Sequence, residues 1–277
     1  MKNFVINRSA SKLTKSQYLV LLRFVAWASR PINPKSPRNI TEKIGLIKEH
    51  PKKAVTVVSF TNNEAFLMTH YIRANRLLKG VSHAGHRLLM RYGLKKYFLL
   101  KPPDLFIDIG SNVGELSRYF IDSGIRTISI EPDPIAFHCL SFNLRDQENV
   151  TLHNFALGEK ETKMKLALIP ESADSSLVFD EKYSDSAVEV EVVRGDSLLK
   201  HIPEASRVWI KLDAEGFEPE VLRGLGTILK RIELIAIDAG EERLGESTYI
   251  ACTEILQRCG FHIENFGKGM VVGKRVA

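Results

Sequence analysis

The chain has 277 residues, 44% hydrophobic and 26% charged, which excludes a disordered or membrane-embedded protein and fits one α/β domain with an extension. The net charge of +6 combines +16 over residues 1–100 with −10 over the rest. Three sparse cysteines, Cys139, Cys252 and Cys259, lack metal-site spacing, and the first ten residues lack the apolar core of a signal peptide. We therefore expect a cytoplasmic protein with two regions of different roles.

The basic N-terminal extension is predicted to be mainly helical. Ser11–Ser29 has helical periodicity, and proline follows it. A short strand is expected at Val55–Phe60, followed by helices over Glu64–Lys79 and His86–Leu99. Pro102-Pro103 breaks this pattern, so the predicted domains are residues 1–100 and residues 101–277.

Strands and helices alternate regularly after the two prolines. The strands expected are Leu105–Ile109, Arg126–Ile130, Val150–Phe155, Val208–Leu212 and Leu234–Ile237. The helices expected are Val113–Ile121, Pro134–Leu144, Glu218–Lys230 and Thr248–Arg258. An insertion with strands Met164–Leu168 and Val188–Val193 interrupts the alternation, and a hairpin of His262–Asn265 and Met270–Val272 ends it. The alternation predicts an α/β, Rossmann-like parallel sheet with helices on both faces.

A glycine-containing turn follows the first of these strands, in LFIDIGSNVGELS. The third glycine of a dinucleotide fingerprint is missing, Glu115 would repel a diphosphate, and no lysine of a P-loop follows. S-adenosylmethionine suits an acidic turn better, because it is cationic and has no phosphate. Glu131 ends the next strand, where a carboxylate can accept hydrogen bonds from both ribose hydroxyls.

Four segments together resemble the FkbM family of class I methyltransferases that use S-adenosylmethionine. They are FIDIGSNVGELS, ISIEPDPIAFHCLSFNL, FALGE and IKLDAEGFEPEVLRG, in order over residues 104–240. The resemblance implies a seven-stranded methyltransferase sheet and transfer of a methyl group to a hydroxyl of a small-molecule, sugar or glycan acceptor. Where the family often has Thr-Leu-Asp, this chain has Gly195-Asp196-Ser197, so any contact from that loop is in doubt.

The resemblance also implies roles for residues around the donor. It assigns the methionyl part to Asp108, Gly110, Asn112 and Gly114, the ribose to Glu131, and the adenine to Pro132, Asp133, Asn154, Phe155 and Ala156. Ser175 and Ser176 are similar to a serine-containing segment that closes over the site. Asp213, directly after the fourth strand, would lie beside the donor.

The stretch VWIKLDAEGFEPEVLRGL carries the expected chemistry. A neutral hydroxyl is a poor nucleophile, so a base or a metal must activate it. We expect Asp213 nearest the reacting atoms, with Glu215 facing the site. Lys211 shares a strand face with Asp213 and either holds it ionised, acts as the base, or forms only an ion pair. Glu218 and Glu220 are interpreted mainly as helix-start charges.

A metal centre is the mechanistic alternative. Asp213 and Asp238 end neighbouring strands, Glu241 follows, and their oxygen ligands would suit Mg²⁺ or Mn²⁺. His138 and His201 are further candidate bases.

Three roles stay open for the basic extension. It could cover the active site and form a homodimer, bind an anionic acceptor such as a charged polysaccharide, or lie on the inner face of a membrane through Tyr18–Trp27. Nucleic-acid methylation and donor binding without turnover are the alternative functions. The extension lacks a clear aromatic stacking motif, which disfavours nucleic acid.

Overall fold

The computed structural model describes residues 44–49, 55–60, 64–169, 174–204, 206–267 and 269–276. The predicted helix over Ser11–Ser29, and the membrane contact expected of it, lie outside these ranges. Within them, no helix combines the length and the apolar character needed to cross a bilayer.

The described part of the extension contains a small sheet as well as helices. Its elements are β1 (Ile44–Glu49), β2 (Thr56–Phe60), β3 (Ala65–Met68), a 3-10 helix (Tyr71–Leu77), α1 (Val81–Arg91) and α2 (Lys95–Leu100). The strands pair antiparallel in the order β1-β2-β3. The sequence did not indicate this sheet beyond the strand at Val55–Phe60.

Two helix predictions in the extension were wrong in detail. Glu64–Lys79 is not one helix, because its first apolar residues pair with β2 and form β3. The Asn143 side chain fixes this strand by accepting the N–H of Leu67 at 2.7 Å and donating to its carbonyl at 2.9 Å. The helix predicted over His86–Leu99 is two helices, separated at Gly93, where φ is +67°.

The remaining elements follow the predicted alternation of strands and helices. In chain order they are β4 (Leu105–Ile109), α3 (Glu115–Asp122), β5 (Arg126–Ile130), α4 (Pro134–Asn143), β6 (Val150–His153), β7 (Ala156–Gly158), β8 (Thr162–Ile169), β9 (Asp174–Ser176), β10 (Ala187–Arg194), β11 (Val208–Leu212), α5 (Glu218–Leu225), β12 (Ile232–Asp238), α6 (Tyr249–Arg258), β13 (Phe261–Asn265) and β14 (Met270–Arg275). Short 3-10 helices cover Glu181–Ser186, Gly195–His201 and Gly226–Arg231.

Seven strands form the central sheet in the order β13-β14-β12-β11-β4-β5-β6. All neighbours are parallel except β14, which runs antiparallel to β12 and β13 as the final hairpin. Every residue of β4 and β11 is buried, as expected for central parallel strands covered on both sides. The predicted seven-stranded Rossmann-like sheet is confirmed, and β4 and β11 lie side by side at its centre.

Strand alternation divides the core between the two faces of the sheet. Phe106 and Trp209 pack with α1 and α3, and the Phe106 ring stacks on that of Phe120 with centroids 3.7 Å apart. Ile107 and Ile210 pack on the other face with the apolar residues of α5 and α6. Helix α1 of the extension therefore belongs to the same core as the sheet.

The predicted insertion forms a second, four-stranded sheet in the order β7-β10-β8-β9. Helix α5 packs closely on β7, because a Cβ on Gly224 would lie 1.8 Å from the Gly158 carbonyl oxygen. Strand β9 thereby lies near the carboxyl edge of the central sheet, where the Ser176 hydroxyl donates to the Glu215 carbonyl at 2.7 Å.

Candidate active site

A cleft of about 280 Å³ opens at the carboxyl edge of β4, β5 and β11. This edge is where parallel α/β sheets bind ligands. Its floor comes from the turns that follow the three strands. One wall comes from residues 73–92 of the extension, and another from β9 and β7. This wall agrees with the hypothesis that the extension covers the active site.

Close backbone packing shapes the turn after β4. Gly110 has φ +71°, and a Cβ at this position would lie 1.8 Å from the carbonyl oxygen of Asp213. The Asp213 N–H donates to the Ile109 carbonyl at 3.2 Å, so the segments following β4 and β11 touch directly. Only glycine fits this turn, both because of its φ and because of the contact.

A buried ion pair lies beneath the same turn. The Lys211 ammonium is 3.3 Å from Asp108 Oδ1, and the Ser117 hydroxyl donates to Oδ2 of that carboxylate at 2.6 Å. Lys211 also donates to the carbonyls of Gly110 at 2.5 Å and Ile109 at 3.2 Å. Burial alone would lower the pKa of Lys211, but the Asp108 and Asp213 carboxylates outweigh it and raise that pKa. These contacts favour a protonated lysine that holds the turn over a lysine that acts as a base.

Asp213 has two unequal carboxylate oxygens. Oδ2 accepts a hydrogen bond of 2.5 Å from the Tyr92 hydroxyl and lies 3.9 Å from the Lys211 ammonium. Oδ1 is buried and has no hydrogen-bond partner among the described residues. Burial, and next the Asp213 charge, raise the pKa of Tyr92, so the phenol keeps its proton and donates. A ligand hydroxyl is the kind of group that would satisfy the second oxygen.

Glu131, the predicted ribose contact, lines the cleft at the end of β5. Its Oε2 accepts the Asn112 N–H at 2.7 Å, and its Oε1 accepts the Asp133 N–H at 2.9 Å. Asn112 itself has φ +49°, which aims its N–H at the carboxylate. Burial is the main cause that raises the pKa of Glu131 to about 7.

Some of the other residues predicted to bind the methyl donor line the cleft, and the rest support neighbouring segments of the chain. Asp108, Gly110, Asn112, Pro132, Phe155 and Ala156 line the cleft, together with Ser175. Gly114, Asp133 and Asn154 are not among its lining residues, and their predicted contacts with the donor stay predictions. The Asp133 carboxylate caps α4 by accepting the N–H groups of Ile135 and Ala136 at 2.7 and 3.1 Å.

Packing and backbone support explain the other two. A Cβ on Gly114 would meet Leu140 Cδ1 at 2.7 Å, so this glycine allows α3 to approach α4. The Asn154 amide donates to the carbonyls of Glu131 at 2.8 Å and Pro132 at 3.2 Å, which fixes the backbone around the Glu131 carboxylate.

Glu218 and Glu220 support the loops around the site, and neither lines the cleft. Glu218 is fully buried, and its Oε1 accepts the N–H groups of Ala214 and Gly216 at 2.9 and 3.0 Å. Glu220 pairs with both terminal nitrogens of Arg243 at 2.9 and 3.0 Å. Their interpretation as charges at the helix start agrees with these positions.

The carboxylates that could hold a metal differ from the predicted set. Among the described residues, Asp213, Glu215 and Glu242 offer oxygens within 4.8 Å of one another. Asp238 instead forms an ion pair with Arg91, and Glu241 is exposed.

The close approach of these carboxyl groups affects the pKa values of Glu215 and Glu242. Burial and then the Asp213 charge raise the pKa of Glu215 to about 9 and that of Glu242 to about 8. The sequence predicted Glu241 as a metal ligand, but the neighbouring Glu242 is the residue that lines the cleft.

The candidate bases outside this cluster lie elsewhere. His138 is on α4, and His201 has its ring centroid 5.5 Å from that of His153; neither lines the cleft.

The sequence did not predict that Tyr92 and Arg91 belong to the site, because they come from the extension.

Comparison with solved structures finds distant likenesses. Fibrillarin from Methanococcus jannaschii, a pre-rRNA processing protein, has 15% identity and a TM-score of 0.43, over 83% of this chain and 97% of that one. Fibrillarin from Aeropyrum pernix, in complex with S-adenosyl-L-methionine, has 14% identity and a TM-score of 0.41, over 85% and 100%. Precorrin-6y C5,15-methyltransferase from Geobacter metallireducens has 16% identity and a TM-score of 0.38, over 66% and 89%. No curated protein has a significant sequence match.

The sheet order and the cleft at its carboxyl edge are those of a class I methyltransferase that uses S-adenosylmethionine. The family described as Methyltransferase FkbM domain matches residues 108–263, more than half of the chain. The protein therefore belongs to the FkbM methyltransferase family.

Proposed function

We propose that the protein methylates a hydroxyl oxygen of a small-molecule, sugar or glycan acceptor, and that Asp213 receives the hydroxyl proton. One observation carries this proposal: Asp213 lines the cleft with Oδ2 held by Tyr92, while Oδ1 is buried without a partner among the described residues. A hydroxyl is a donor of the right size and polarity for that oxygen.

The residues of the cleft fit the methyl donor. The turn at Gly110 leaves no room for a Cβ, and Glu131 presents a carboxylate for two ribose hydroxyls. S-adenosylmethionine supplies a methyl group already activated on a cationic sulfur, and the acidic lining favours that charge. Phe155, Ala156 and Pro132 provide apolar surface for the adenine.

Each polar residue then has a distinct task. Asp213 accepts the hydrogen bond of the acceptor hydroxyl and takes its proton as the oxygen becomes the nucleophile. Tyr92 fixes the orientation of the Asp213 carboxylate through its 2.5 Å hydrogen bond. Lys211 stays protonated and holds the backbone at Gly110. Positioning of this kind supplies much of the acceleration of an in-line displacement.

The proposal is tested by the identity of the methylated atom. Purified protein is incubated with isotopically labelled donor and a panel of sugars and hydroxylated metabolites, and products are identified by mass spectrometry and NMR. A methyl ether is the expected product. Methylation of nitrogen or carbon, or of an RNA substrate only, would contradict it.

Donor binding is expected to weaken in acid because of Glu131. This carboxylate accepts the ribose hydroxyls when ionised, and in the free protein its pKa is about 7. The affinity is therefore present above about pH 7 and is lost as the pH falls through that value, by up to about tenfold per pH unit. Calorimetric titration of S-adenosylhomocysteine between about pH 5 and pH 8 measures this dependence. Glu131→Gln should bind more weakly with a flat profile, and an unchanged slope in this variant would refute the assignment.

Methyl transfer is expected to continue in the presence of EDTA. Proton removal by Asp213 needs no metal, and Asp238 is already paired with Arg91. The measurement is turnover after EDTA treatment and after addition of Mg²⁺ or Mn²⁺. Loss of activity in EDTA, restored by Mg²⁺, would favour a cation held by Asp213, Glu215 and Glu242 instead.

A further inference from the structure

Four arginines of the extension face the same side of the molecule. Arg73 and Arg76 are three residues apart on the 3-10 helix, where residues at this spacing lie on one face. Arg87 and Arg91 are four residues apart on α1, which again places them on one face. Like charges at these spacings repel, and Arg73, Arg76 and Arg91 each have a carboxylate within ion-pair distance.

The two arginine faces meet at a groove of about 210 Å³ that adjoins the active-site cleft. Arg76, Arg87 and Arg91 line it, together with Asn75, Ala84, Leu88 and Glu115. Arg76, Arg91, Leu88 and Glu115 also line the main cleft, so the two spaces are continuous. A ligand can therefore occupy the groove and reach Asp213 at the same time.

The charge of this groove is positive. Three arginines and one carboxylate, Glu115, line it. Two carboxylates contact these arginines: Glu115 lies 3.9 Å from Arg76, and Asp238 pairs with Arg91. Next to the groove, Arg73 is buried, and burial together with the charge of Arg76 lowers its pKa to about 10. Arg73 already has an anionic partner, because it forms an ion pair with Asp174.

The sheet edge presents carboxyl groups instead of arginines. Its lining residues include the carboxylates of Asp108, Glu131, Asp213, Glu215 and Glu242. The cleft thus has an acidic half that suits a cationic methyl donor and an arginine-rich half supplied by residues 73–91. Planar guanidinium groups are the donors that proteins use for two-oxygen recognition of carboxylate, phosphate and sulfate.

We propose that the arginine groove binds an anionic group carried by the acceptor, a carboxylate, phosphate or sulfate, and thereby orients the acceptor hydroxyl toward Asp213. Assigning the anion to the acceptor rests on the proposed function, whereas anion binding by the groove does not. The ligand class is a hydroxylated small molecule or sugar with one acidic group.

The test compares two sugars that differ at C6, where glucuronic acid has a carboxylate and glucose a hydroxymethyl group, and uses inorganic phosphate as a third probe. Binding of glucuronic acid, glucose and inorganic phosphate to the full chain, saturated with S-adenosylhomocysteine, is measured by NMR titration. We expect glucuronic acid to bind at least about tenfold more tightly than glucose, and this preference to shrink at high salt. Arg76→Gln and Arg87→Gln should reduce glucuronic acid to the level of glucose and weaken phosphate.

Arg258→Gln is the matched control, because the Arg258 side chain is 78% exposed, pairs with Glu254 within α6, and lines neither the groove nor the cleft. It removes the same charge and should leave all three affinities unchanged. Equal binding of glucuronic acid and glucose, or an equal loss in the control variant, would overturn the proposal. Tight binding of an oligoribonucleotide that survives both groove substitutions would also overturn it.

Failure of the proposed function can be distinguished from failure of the groove proposal. Asp213→Asn should retain the preference for glucuronic acid, since Asp213 is not among the residues lining the groove. Anion binding without methyl transfer to any hydroxyl would refute the proposed function but not the proposal that the groove binds an anion. Methyl transfer to neutral sugars that is unaffected by Arg87→Gln would refute the groove proposal but not the proposed function.

Discussion

Asp213→Asn is expected to reduce methyl transfer by about 10²–10⁴-fold, the range typical for loss of a catalytic base. The amide has the same shape and can still accept the Tyr92 hydroxyl, so the fold and the cleft should persist. It cannot take a proton from the acceptor. Single-turnover assays with labelled donor measure the chemical step, and calorimetry should show an affinity for S-adenosylhomocysteine within about twofold of the original.

Asp146→Asn provides the comparison, because the Asp146 side chain is 76% exposed and lies at the end of α4 away from the cleft. This variant should transfer methyl groups at the original rate. If Asp213→Asn retained most of its turnover, another group would have to accept the proton, and the base assignment would be lost.

Gly110→Ala is expected to abolish donor binding and to destabilise the fold by more than about 4 kcal/mol, a loss reserved for severe steric or polar disruption. The alanine Cβ would overlap the Asp213 carbonyl oxygen at 1.8 Å, so the turns after β4 and β11 would have to separate. A non-glycine residue in the left-handed region adds about 1–2 kcal/mol. Urea unfolding and calorimetry with S-adenosylhomocysteine measure the two effects.

Gly124→Ala separates the two causes. Gly124 has φ +80°, similar to Gly110, but no described atom lies within 4 Å of its added Cβ. This control should lose only the conformational part, about 1–2 kcal/mol, and keep donor binding. If both variants lost the same stability, the close approach of Gly110 to Asp213 would be unimportant.

The catalytic domain was predictable because its signals are local. The four apolar residues of β11 and the glycines after β4 indicate a buried strand and a tight turn, and chain order then places Asp108 and Asp213 at one edge. The position of Glu131 at the end of β5 follows from the same rule, and its contact with the ribose stays a prediction. The boundary between residues 1–100 and 101–277, the homodimer, the membrane contact and the cytoplasmic location stay predictions.

The missed residues depend on contacts that are distant in sequence. Tyr92 meets Asp213 across 121 positions, and nothing local to YGL marks that tyrosine as part of the site. The choice of Glu242 over Glu241 depends on how the loop after β12 turns, which the neighbouring residues do not specify. Pairing of β3 with β2 likewise overrode the local helical pattern at Glu64–Lys79.

The contact between Tyr92 and Asp213 joins two stretches of chain of different kinds. Asp213 lies within the segment that defines the family, residues 108–263, whereas Tyr92 and the arginines precede it. If the arginine groove orients the acceptor as proposed, donor chemistry and acceptor choice are encoded in separate parts of the chain. Exchange of the N-terminal part alone would let a related enzyme acquire a new acceptor while its methyl-donor machinery stays intact.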